Sequence, residues 1–358
     1  MHMGEEIQNT DNKKRARDFS LSFMQVISAL AVITMHTNGC FWLFSATERY
    51  WVTANIIECV FYFAVPVFFM ITGITLLDYQ DRYSTKEYFK KRAEKTVLPY
   101  IAWSLIGVVF LLATNRIPPE TVTVKWVING LLSTEGIIRV YWFFLPLFCV
   151  YLSIPLFAAV DKEKKMGIAR YLLIAGFAVN ILIPFLNTVF NLGIEWPYRI
   201  AVISDYIFWV WAGYYIYNDP PAGKQKTVIY ILAAAGLLMH ISGTYRLSVA
   251  AGSIQPAYKG YFNVPCVLYS IGVFVLLKDM AHRIEKIGWL KKAIETMAGY
   301  TFSVYLIHWF ILQIVEELFA INILSIYYRL LMPLAAYAAT MALVWCLRKI
   351  PVIKKIVP

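Results

Sequence analysis

Long apolar runs separated by short basic or polar segments dominate the chain. A helix needs about 20 residues, each rising about 1.5 Å, to cross the hydrocarbon core of a bilayer. Ten runs reach or approach that length: 19–40, 52–77, 97–114, 142–160, 168–187, 202–217, 226–242, 258–277, 301–320 and 327–347, the sixth and seventh being short. The pattern predicts an all-α polytopic integral membrane protein with about ten transmembrane helices, with almost no chain left for a soluble module. The expected organisation is a polar tail over 1–16, a membrane domain over 17–350 and a short basic tail over 351–358.

Composition points the same way. Hydrophobic residues make up 59% and charged residues only 15%, where soluble domains carry about a quarter. The formal net charge of +11 raises the question of nucleic acid, but the basic residues alternate between segments instead of gathering on one soluble face. Of the 33 Lys and Arg, 25 lie in the N-terminal tail, in every second connection and in the C-terminal tail, against 8 in the other segments. The positive-inside rule then places both termini in the cytoplasm and excludes a nucleic-acid partner. Basic segments also meet anionic headgroups, so membrane lipids are expected partners.

The first run follows a basic stretch, as in a signal peptide, but it is long and lacks a small-residue cleavage site, so it is an uncleaved first helix. His2, in the opening "MHMG", is set aside. Cys40, Cys59, Cys149, Cys266 and Cys346 lack metal spacing and behave as small hydrophobes, with a Cys40–Cys59 disulfide near the outer face left open. No metal site is expected.

Candidate chemistry lies where ionisable groups enter apolar runs, because burying them is costly and commonly functional. "VITMHTNGCFW" carries His36 toward the outer end of the first helix, and Glu58 lies about two turns into the second from the same side. The two are expected to share a level, with the carboxylate fixing the imidazole tautomer for general-base work. "YTFSVYLIHWFIL" brings Tyr305 and His308, three positions apart on a similar helix face, about two turns in from the cytoplasmic end. "YSTKEYFKKRAEKTVLPYIAWS" places Arg92 in a basic approach to the third helix, where its guanidinium fork suits phosphate oxygens. His240, at a predicted helix end, and His282, in a cytoplasmic loop, are expected at the surface. Outside, Glu195, Trp196, Tyr198, Arg199, Asp205 and Arg246 mix aromatic, acidic and basic groups, as an interfacial belt or as a sugar-like acceptor surface.

Four blocks together, "ISALAVITMHT", "VPVFFMITGITLL", "YFKKRAEKTVLPYIAWS" and "YTFSVYLIHWFIL", with "YWFFLPLFCVYLSIPLF" as a weaker fifth, resemble the acyltransferase 3 family of membrane acyltransferases. The resemblance covers most of the chain. It implies transfer of an acyl group, commonly acetyl, from cytoplasmic acyl-CoA to a hydroxyl of an exported or lipid-linked glycan, in a bacterial cytoplasmic membrane. The family's first-helix histidine maps onto His36, its loop arginine onto Arg92 and its "YLIH" pair onto Tyr305 and His308. Gln25 stands where the family usually has arginine, eleven positions before the histidine, and Ser22 replaces the acidic residue three positions earlier. In this reading His36 is catalytic with Glu58 beside it, Arg92, Tyr305 and His308 serve the acyl-CoA, and Tyr305 or His308 supplies an oxyanion donor. An acyl-histidine intermediate is the other route. A proton-coupled transporter or flippase is the rival function, a membrane scaffold a further one, and a homo-oligomer stays open.

Overall fold

The structure is a computed structural model that describes residues 18–358. The expected tail over 1–16 lies outside the described residues. In chain order the helices are α1 (Phe19–Thr37), α2 (Arg49–Phe61), α3 (Ala64–Leu76), α4 (Thr85–Arg92), α5 (Leu98–Ala113), α6 (Val124–Ser133), α7 (Phe144–Ala158), α8 (Lys162–Gly176), α9 (Ile183–Phe190), α10 (Tyr206–Asn218), α11 (Gly223–Ala251), α12 (Val264–Ile284), α13 (Gly288–Ala298), α14 (Thr301–Phe319) and α15 (Ile326–Leu347). There is no strand among the described residues.

The fold is that of an all-α multi-pass membrane protein. Among the described residues nine helical segments are long and apolar enough to cross a membrane, with α2–α3, α4–α5 and α8–α9 each counting as one. The last two pairs are joined through π-helical turns at Ala93–Val97 and Phe177–Leu182. The sixth apolar run forms α10, which has 13 residues and so spans less than the core requires. Its short length is tolerable because protein surrounds it. A Cβ on Gly213 would lie 2.2 Å from the Met70 carbonyl oxygen, and one on Gly73 would lie 1.9 Å from that of Val210. Only glycine on both helices permits this α3–α10 backbone approach.

The seventh run extends well beyond its apolar stretch, to the 29 residues of α11. Arg246 therefore belongs to the helix and not to a loop, and His240, expected at the surface, is fully buried, with its ring centroid 5.2 Å from that of Tyr62. His282 lies in the last turn of α12 rather than in a loop. Cys40 and Cys59 are both buried and free, so the disulfide left open by the sequence is not formed.

The first helix is the most buried of the spans, and both of its ends are tied down. At its start the Asp18 carboxylate accepts the Ser20 N–H at 2.8 Å and the Tyr217 hydroxyl. Burial works against the Asp18 charge, but these donors hold the carboxyl below its usual range. The last residues pack onto the bundle: Val357 is buried, Trp103 Nε1 donates to the Ile356 carbonyl at 2.8 Å, and Ser303 Oγ donates to that of Pro358 at 2.7 Å.

Candidate active site

His36 occupies the last turn of α1, half-buried, and His308 lies fully buried on α14. His36 Nδ1 is 2.7 Å from His308 Nε2. The rings lie edge to edge in nearly one plane, with centroids 5.0 Å apart and 7° between planes. On its other side, His308 Nδ1 faces two acceptors of its own helix, the Tyr305 carbonyl at 2.7 Å and the Val304 carbonyl at 3.1 Å.

These partners assign the protons. A nitrogen against carbonyl oxygens must carry hydrogen, so neutral His308 is protonated at Nδ1 and presents a lone pair at Nε2. His36 then donates from Nδ1, which leaves the lone pair on its own Nε2 free. A main-chain carbonyl and a second imidazole thus do for His36 what a carboxylate does in a serine hydrolase triad: they fix tautomer and orientation.

His36 lines a cavity of about 1090 Å³ that reaches both ends of the bundle. At the basic end its wall includes Thr75, Arg92, Lys95, Thr96 and Gly299. At the opposite end it takes Trp42 and Leu43 from the loop after α1, Glu135 and Arg139 from the segment before α7, Lys259 and Tyr261 from the loop before α12, and Ile323. Gln25 also lines it, eleven residues before His36 and hence about 16 Å along α1 toward the basic end.

Arg92 lies at the basic mouth, between the rings of Tyr88 and Tyr151, 5.8 and 5.4 Å from their centroids. It ends α4 just before the first π-helical turn, and such turns are frequent at functional sites. Its Nε is buried and has no acceptor. Arg92 also lines the cavity, so its guanidinium presents a positive charge to an anionic ligand there.

Glu58 also lines the cavity, but its ion partner is Lys259 at 3.1 Å rather than His36. Both side chains are nearly inaccessible, and rings of Phe41, Trp42 and Tyr62 surround the ammonium at 5.1, 5.0 and 4.2 Å. Burial alone would lower the Lys259 pKa, but the Glu58 carboxylate outweighs it and raises the group above the usual lysine range. A desolvated ammonium attracts the nearest carboxylate strongly, and this is why Glu58 turns to the loop lysine while His308 takes the place beside His36. The expected role of Glu58 in orienting the imidazole is corrected accordingly.

Two further expectations change. The Tyr305 hydroxyl donates to the Val140 carbonyl at 2.6 Å, so its proton is committed. His308 gives its one N–H to main-chain carbonyls. Neither is free to donate to an oxyanion in this arrangement, and His308 serves His36 instead of a donor molecule.

The sequence reading missed Arg329, which is buried in α15. Its guanidinium donates to Asn38 Oδ1 at 3.2 Å, to Thr53 Oγ1 at 2.8 Å, and to the carbonyls of Tyr50, Leu324 and Ser325 at 3.4, 3.1 and 3.3 Å. Thr37 Oγ1 donates to the Arg329 carbonyl at 3.2 Å, and Asn38 Nδ2 to that of Ala54 at 2.9 Å. This clamp ties α15 and α2 to the two residues that follow His36. A charge three residues into an apolar run was the available signal. Also unforeseen is the stack of Tyr261 between Tyr62 and Trp142, at centroid distances of 4.3 and 5.8 Å, which lines the non-basic half of the cavity. Among the described residues no group of three His, Cys, Asp or Glu is arranged to hold a metal ion.

A family model described as an acyltransferase domain matches residues 18–349, nearly the whole chain. No curated protein and no solved structure matches.

Proposed function

Because the chain belongs to the acyltransferase 3 family, we propose that it moves an acyl group, commonly acetyl, from cytoplasmic acyl-CoA to a hydroxyl of an exported or lipid-linked glycan. The observation that carries this reading is the position of His36, which His308 engages at Nδ1 and which lines a cavity whose wall runs from Arg92 and Lys95 to Glu135, Lys259 and Tyr261. The charge bias makes the end with Arg92 and Lys95 cytoplasmic. A nucleotide-bearing thioester is dianionic or more, and this mouth offers it the positive charges of Lys95 and Arg92. The thioester carbon then lies toward His36.

The acceptor comes from the other side. There the wall is aromatic, with Trp142, Tyr261 and Tyr62, and its nearest charges, Glu58 and Lys259, cancel. That surface suits a neutral polyhydroxylated ring: its C–H face packs on aromatic rings, and its hydroxyls meet the Glu58 oxygen that Lys259 does not take. His36 Nε2 removes the hydroxyl proton as the oxygen attacks the thioester carbonyl. The C–O bond forms, the C–S bond breaks, and the proton passes from His36 to the departing thiolate to give the free thiol. His308 accepts from His36 Nδ1 throughout and keeps the ring in register. Being neutral, it stabilises the transient imidazolium less than a carboxylate would, so the developing oxyanion is its principal counter-charge.

We propose that the protein acts in the cytoplasmic membrane of a bacterium. Mass spectrometry of cell-surface glycans with and without the chain is the test. The reading predicts a glycan species heavier by one acyl group only when the chain is present, and identical spectra would overturn it.

A further inference from the structure

A second cavity, of about 390 Å³, lies between the α9–α10 connection and the loop before α12. Its walls are held firmly. Asn180, in the second π-helical turn, donates to the Ile200 carbonyl at 3.0 Å and accepts the Ile200 N–H at 2.8 Å. Trp196 Nε1 donates to the Val179 carbonyl at 3.0 Å, and the Trp196 and Tyr198 rings meet at 4.9 Å with 63° between planes. Two aromatic surfaces are thus fixed on the wall, with Tyr198 66% exposed.

Asp205 is the unusual residue. It occupies the N-cap position of α10, where aspartate ordinarily accepts an N–H of the first turn, yet its side chain makes no cap bond. Its backbone has φ 52° and ψ −141°, a conformation disfavoured for any residue with a Cβ. In exchange, its carboxylate pairs with Arg199 and accepts from Ser204 Oγ at 3.2 Å, and all three residues line the cavity. Arg199 and Ser204 thus hold the carboxylate on the cavity wall instead of over the first turn of α10.

The two cavities share a partition. Phe262 lines this one and Tyr261 lines the main one, while Tyr206 packs against both, at 5.1 and 6.2 Å. Building on the glycan-acceptor reading, we propose that this cavity is a second subsite that holds a neutral sugar ring further along the acceptor chain from the ring whose hydroxyl reacts. The chemistry is specific to that class. Fixed aromatic faces take the C–H side of a pyranose, and an Arg–Asp pair of zero net charge offers planar donors and acceptors to vicinal hydroxyls while giving an anion no excess charge. Chain length therefore adds to acceptor affinity through residues remote from His36.

The test uses the full chain in lipid nanodiscs on an array of neutral hexose and N-acetylhexosamine oligomers of one to four residues. At least one oligomer is expected to bind more tightly than its monomer, and Tyr198→Ala and Asp205→Ala each weaken that binding by about tenfold with thermal stability retained. Lys91→Ala, at a residue that lines neither cavity, binds like the wild type. Failure of every oligomer to bind the wild type, or undiminished binding by both variants, overturns the subsite and leaves an interfacial aromatic belt. His36-dependent transfer is measured separately: transfer without length-dependent binding defeats the subsite alone, and binding without transfer defeats the acyltransfer reading alone.

Discussion

His36 Nδ1 lies 2.7 Å from His308 Nε2, and His308 spends its only proton on carbonyls of its own helix. The pair is therefore directional: His308 can accept from His36 but cannot donate to it. His308→Ala is expected to lower kcat by about 10² or more, because the freed His36 ring samples the other tautomer. His308→Gln, whose amide oxygen can still accept, should recover part of the loss. If His308→Ala matched the wild type in kcat, the second histidine would only be packing.

Glu58 and Lys259 form a pair buried on both sides. Breaking one side leaves a lone charge in an apolar site, so Glu58→Gln or Lys259→Met should each cost about 3–5 kcal/mol, while the double variant regains most of that. Thermal unfolding of the three variants measures the coupling. Since the folded Lys259 pKa is raised, its contribution is fully present below the unfolded value of about 10.4 and is lost as pH rises through the folded one. The Tm gap between wild type and Lys259→Met should thus stay level from about pH 7 to pH 10 and narrow only above.

Much of this was legible in the sequence, and the remainder was illegible for identifiable reasons. Apolar run lengths located the helices because bilayer thickness dictates them, and costly burial singled out His36, His308 and Glu58 as individuals. Pairing was a different matter. His36 and His308 are 272 residues apart, and no periodicity says which helices touch. Glu58 was matched to His36 on depth alone, but depth leaves rotation about the helix axis undetermined. The 13 residues of α10 lie between Asp205, with φ 52°, and Asp219, which two prolines follow, while the Gly73 and Gly213 approach that packs it lies in segments that read simply as apolar. His240 was misjudged because α11 continues through polar residues after its apolar run ends.

Arg92 lines the cavity and Lys91 does not; the lysine lies 3.7 Å from Glu87 and over the Tyr83 ring. Arg92→Ala is expected to raise the KM for acyl-CoA by about tenfold or more, as loss of a charge-assisted hydrogen bond would, with Lys91→Ala near the wild-type value. Equal small effects in steady-state kinetics would mean that the loop contributes only diffuse charge.

Arg329 holds the end of α1 through a fork of hydrogen bonds. Arg329→Lys keeps the charge but can reach at most three acceptors, and should destabilise by about 1–3 kcal/mol and lower kcat by loosening His36. An unchanged Tm and kcat would show that charge alone suffices at this position.

The central claim is that His36 moves the proton of the reaction, and the most direct measurement is transfer from labelled acyl-CoA by purified, folded His36→Ala. Loss of a general base predicts a fall in turnover of about 10² to 10⁴, with insertion and Tm near those of the wild type. Full turnover by His36→Ala would contradict the account.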